Sequence, residues 1–169
     1  MARLPEPPPH EVGPAATAVG TLLAPVVACL RGDDHGFEIL VGGTCDDGDI
    51  AAIVRSAPAV ARVYLRLAPP PHGADRIVTG FADAAYDRFG NSEIVTLGAE
   101  CIEVARVDAP LADIAEAVFV NTALTHGERC ALEGAIASCW WCAQVSALLR
   151  GVDPIEEAAA ICRYVARVA

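Results

Sequence analysis

The chain has 169 residues, of which 54% are hydrophobic and only 20% charged, and this excludes disorder over most of its length. Twelve Arg, no Lys and 22 acidic residues leave a formal net charge of -10, so the basic footprint of a nucleic-acid binder is missing. Without Lys there is also no Schiff-base chemistry and no phosphate-binding P-loop.

Residues 1–14 hold five prolines and lack the apolar core of a signal peptide. They are expected to form a disordered Pro-rich tail ahead of one domain over 15–169. No uninterrupted apolar run of about 18 residues occurs, so no membrane span is expected and the chain reads as cytoplasmic. Residues 15–31 are small and apolar, and Pro25 argues for either a kinked helix or a short helix followed by a strand, VVACL. The run HGFEILVGG (35–43), bounded by glycine, reads as β-like. Asp49 is placed to cap a short helix that Pro58 ends. Over 59–68, Val63, Leu65 and Leu67 alternate with Arg62, Tyr64 and Arg66, the period of a half-buried strand.

APPPHGAD (68–75) reads as a linker and a possible subdivision. Each flanking portion would be marginal alone, so one shared core is expected. Residues 76–87 and 92–107 flank Gly90-Asn91 and suggest a β-hairpin. Residues 111–124 begin helix-like and end β-branched, and receive no assignment. Thr125 and Glu128 fit a T-x-x-E capping box opening a helix to Arg150 that stops at Gly151. Its apolar stripe is Leu132, Ala135, Ile136, Cys139, Ala143 and Ala147. Asp153-Pro154 starts a last helix, with Ile155, Ala158, Ala159, Cys162, Val165 and Ala166 on its buried face. The fold class expected is α+β: a mixed or antiparallel sheet packed against a C-terminal antiparallel helix pair.

The cysteines, odd in number at seven, read mostly as small reduced hydrophobes rather than as a disulfide framework. The string HGERCALEGAI (126–136) resembles the first motif of cytidine deaminases, CWWCAQVSALL (139–149) resembles the second, and AYDRFGN (85–91) resembles the segment preceding them. That resemblance, over roughly residues 74–150, implies a zinc-dependent hydrolase or transferase. Its catalytic residues would be His126 and Glu128, with Glu128 the proton shuttle, and Cys139 and Cys142 would be metal ligands. HGERCAL is also similar to a helix start in a carbon–phosphorus lyase accessory subunit.

The spacing points elsewhere. On one continuous helix Glu128 and Cys139 stand about 16 Å apart, whereas zinc ligands lie about 2.0–2.3 Å from one metal. In the competing reading Glu128 belongs to the capping box and Cys139 to the core stripe. As a redox pair, Cys139-Trp-Trp-Cys142 lies too deep in its helix for the dipole to stabilise a thiolate. The acidic runs at 33–38 and 45–49 carry oxygen ligands for a divalent cation but miss the EF-hand spacing, and read as turns and caps. A mean hydropathy of +0.40 with few aromatics exceeds what a small domain hides. The function expected is therefore that of an accessory or structural subunit of a homo- or hetero-oligomer. The zinc enzyme is the alternative, and zinc belongs only to it.

Overall fold

Each break between the apolar segments carries a helix stop or a helix start. Gly32, Gly90, Gly127 and Gly151 have positive φ, the left-handed conformation that ends helices and that glycine adopts without a Cβ penalty. Asp33, Asp49, Asn91 and Asp153 then accept hydrogen bonds from the amides of Gly36, Ala52, Glu93 and Ile155 at 2.8–3.1 Å, satisfying N–H groups that have no partner within the helix. The computed structural model describes residues 14–108 and 110–168. They form α1 (Pro14–Arg31), α2 (Asp34–Asp47), α3 (Ile50–Leu67), α4 (Gly73–Phe89), α5 (Ser92–Ala105), α6 (Ala112–Thr125), α7 (Glu128–Arg150) and α8 (Pro154–Val168).

No strand occurs among the described residues, so the fold is all-helical and the expected α+β class with its sheet is wrong. The strand-like alternation at 59–68 is a short-window coincidence. Over the longer stretch the buried residues of α3 are Ala57, Val60, Ala61, Tyr64 and Leu65, which follow the 3.6-residue period. Tyr64, placed by the alternation on the polar side, is fully buried. Pro58 lies inside α3 and Pro25 inside α1. Each removes one amide donor, but packing of the surrounding turns carries both helices through. The run 35–43 is α2, and VVACL is the second half of α1.

Gly90-Asn91 is no hairpin turn: Gly90 ends α4, with its amide bonded to the Tyr86 carbonyl, and Asn91 caps α5. The 68–75 linker is shorter than expected, since α4 starts at Gly73. Residues on both sides of it contribute to one hydrophobic core that draws on all eight helices. Of the Pro-rich tail, Pro14 opens α1, and residues 1–13 lie outside the described residues.

The long C-terminal helix is where the sequence placed it. Its whole expected stripe, from Leu132 to Ala147, is buried. α7 is the central column and touches each of the other seven helices. The expected partnership of α7 and α8 on a sheet is replaced by α8 lying mainly along α1. Within α8, Ile161 and Ala158 are buried, whereas Ala159 is exposed.

The tightest crossing is between α5 and α7 at Gly98 and Gly134. A Cβ on Gly134 would sit 2.7 Å from the Leu97 Cβ, and one on Gly98 would sit 2.4 Å from the Phe81 ring. Glycine at both positions lets the two backbones approach this closely.

Candidate functional site

His126 and Glu128 lie where α6 gives way to α7. Thr125 is still helical as the last residue of α6, so its hydroxyl donates backwards to the Thr122 carbonyl at 2.6 Å. The cap of α7 is instead Gly127, which supplies no side-chain cap. The T-x-x-E capping box therefore does not form. Glu128 is the exposed first residue of α7, where a carboxylate is favoured by the helix dipole alone. His126 projects beside α5, with Nδ1 3.7 Å from a carboxylate oxygen of Glu93. The same oxygen accepts from the Cys130 thiol at 3.7 Å.

Glu93 and Cys130 were not singled out by the sequence reading, because their proximity depends on how α5 and α7 pack. The electrostatics of the trio oppose a nucleophilic cysteine. Partial burial, reinforced by the neighbouring Glu93 carboxylate, pushes the Cys130 thiol up. A catalytic thiol needs the opposite shift, toward thiolate. Next to the trio, Arg129 bridges Glu38 on α2 at 2.7 Å and Glu133 on α7 at 3.3 Å.

Cys139 and Cys142 sit elsewhere, in the fully buried middle of α7. The Cys139 thiol points at the Ala57 carbonyl, 3.7 Å away. Burial raises both thiols far above their ordinary range, and pushes Cys101 of α5 up to about 12. Metal binding requires the thiolate, so these cysteines are held in the form that does not ligate. Among the described residues no three His, Cys, Asp or Glu side chains come together as a metal-binding group. The continuous α7 keeps Glu128 and Cys139 about 16 Å apart, and so does not bring His126 and Glu128 to the cysteine pair.

The intervening tryptophans hold α4 and α7 together. Trp141 Nε1 donates to the Ile77 carbonyl at 2.8 Å, and Trp140 meets Phe89 edge-on at 5.9 Å. The acidic runs are likewise engaged: Asp33 and Asp49 cap helices, and Asp34 pairs with Arg88 at 2.7 Å.

Thiol accessibility tests this placement. In the folded protein at about pH 8, a disulfide reagent is expected to modify only Cys45, Cys130 and Cys162, the half-buried ones, and all seven once the chain is denatured. Fast modification of Cys139 or Cys142 in the folded state would contradict their burial.

Two recesses mark the surface. A groove of about 730 Å³ between α1, α2 and α3 is lined by Thr17, Thr21, Ile39, Leu40, Gly43 and Ala52 among others. A smaller one of about 340 Å³ collects Arg62, Arg66 and Arg106 beside the start of α6. Arg62 is already engaged there: it donates to the Ala105 carbonyl at 3.0 Å and pairs with Glu116 at 3.6 Å. No helix among the described residues is long and apolar enough to cross a membrane. No protein-family model, curated protein or solved structure matches the chain.

Proposed function

We propose that the chain is an accessory or structural subunit that acts through protein–protein association in an oligomer. One observation carries this reading: the outer face of α6 is apolar and bare. Leu111, Ile114 and Val118 are 60%, 64% and 59% exposed, while Phe119, Val120 and Ala123 on the opposite side are buried. A helix that is apolar on both sides is normally covered on both. The inner side of α6 rests on α3, α5 and α7, and nothing in the chain covers the outer one. Three large apolar side chains on adjoining turns form a contiguous patch of the kind found at interfaces. Exposed Ile39 and Leu148 add to the same excess.

The native mass of the protein isolated from its own cells tests the reading. The expected result is an assembly heavier than the 17.5 kDa chain. Ile114→Arg with Val118→Arg should collapse it to a monomer of unchanged helical content. A wild-type monomer at every concentration would overturn the proposal. So would stoichiometric zinc that is lost in His126→Ala, which would favour the enzyme instead.

A further inference from the structure

We propose that the outer face of α6 pairs with the same face of a second copy of this chain, the two α6 helices running parallel about a two-fold axis. This rests on the association reading above and names the partner. The first support is spacing. Leu111, Ile114, Val118, Asn121 and Thr125 follow one another at intervals of three and four residues, and all five are exposed. That is the seam of a two-helix coil, a stripe that meets a neighbouring helix at every turn.

The second support is charge. Two copies of a chain with net charge -10 repel one another over most approaches. The residues flanking the seam are Ala115, Ala117, Thr122 and Leu124, none of them charged. The nearby acids lie off it: Asp113 is displaced to one side, and Glu116 faces α3, where it pairs with Arg62. Here a copy can approach without setting acid against acid across the seam. The alanines also leave room for close backbone approach.

The third support is register. In a parallel pair each seam residue meets its own counterpart: Leu with Leu, Ile with Ile, Val with Val. Asn121 then meets Asn121, and each carboxamide can both donate and accept, the arrangement by which a single seam Asn fixes register. An antiparallel pair centred on Val118 would set Ile114 against Asn121 and Leu111 against Thr125, leaving polar groups against apolar ones at a cost. Stable dimers bury about 800 Å² per partner, more than a four-turn helix alone provides. The self-association is accordingly reversible and concentration-dependent.

Light scattering and cross-linking of the purified full-length chain test this. The wild-type mass should climb from 17.5 kDa toward twice that value with concentration. Ile114→Glu and Val118→Glu should each stay at the monomer mass, and Ile39→Glu on α2 should behave as wild type. Under mild oxidation Leu111→Cys should form a disulfide-linked dimer that the wild type, with its own cysteines, does not. Cross-linking by Val118→Cys but not by Leu111→Cys would overturn the parallel register. A dimer that persists in both Glu variants would overturn the seam. A purified wild type that stays monomeric at all concentrations would overturn self-pairing, and a heavier assembly from cells would still leave the association reading standing.

Discussion

Gly134→Val is expected to cost about 3 kcal/mol or more, the upper end for forcing bulk into a packed site. The Cβ alone would already lie 2.7 Å from the Leu97 Cβ, and neither atom is the free end of a flexible chain. The strain therefore has to push α5 away from α7, the crossing on which the central column depends. Gly98→Val should be comparably severe, because its Cβ collides with the Phe81 ring and lies 3.2 Å from the Gly134 carbonyl. Folded domains of this kind have about 5–15 kcal/mol in total, so either change removes a large share. Gly42→Ala is the control. It lies inside α2 with nothing within 4 Å of its Cβ, and should raise stability by about 0.5–1 kcal/mol through helix propensity. Urea denaturation followed by circular dichroism measures all three. A Gly134→Val protein as stable as Gly42→Ala would mean that the two helices do not cross at these glycines.

Tyr64 should give two opposite results depending on what replaces it. It is a large, fully buried side chain, so Tyr64→Ala is expected to cost about 3–5 kcal/mol, as aromatic truncations in cores do. Its hydroxyl has no hydrogen-bond partner among the described residues. It lies near Cys139 and Cys142, and burial raises its pKa so that it stays neutral. A buried donor left unpaired is destabilising by about 1–3 kcal/mol, so Tyr64→Phe should leave stability unchanged or raise it by roughly 1 kcal/mol. Thermal unfolding of the two variants separates the ring from its hydroxyl. A Tyr64→Phe protein that loses more than about 1 kcal/mol would show that the hydroxyl is paired.

Little of the candidate surface was legible in the sequence. His126 and Glu128 were singled out as a motif, but their neighbours Glu93 and Cys130 belong to contacts made across helices. A signal for the α6 face was present, since Leu111, Ile114 and Val118 keep heptad spacing. It was masked because α6 is apolar on both sides: without a polar face, the period by which a helix is recognised is blurred. The β-branched Val118, Val120 and Thr122 then suggested a strand, a preference that packing readily overrides.

What the sequence determined by itself is local. Caps at Asp49 and Asp153, the stop at Gly151 and the buried stripe of α7 each depend on residues within a turn or two, where backbone hydrogen bonding and helical periodicity leave few choices. Gly90-Asn91 carried equally local information, but a left-handed glycine followed by a capping residue serves a helix junction as well as a hairpin, and only the flanking elements decide between them. Those elements were decided by tertiary structure. The short runs at 35–43 and 59–68 have apolar patterns compatible with either period. They became helices because a surface of Ala, Gly and Cys lets helices approach closely around α7, burying Tyr64 and Val41 from several sides at once. Prolines 25 and 58 lie inside α1 and α3 for the same reason: one lost hydrogen bond weighs less than the burial of a whole helical face.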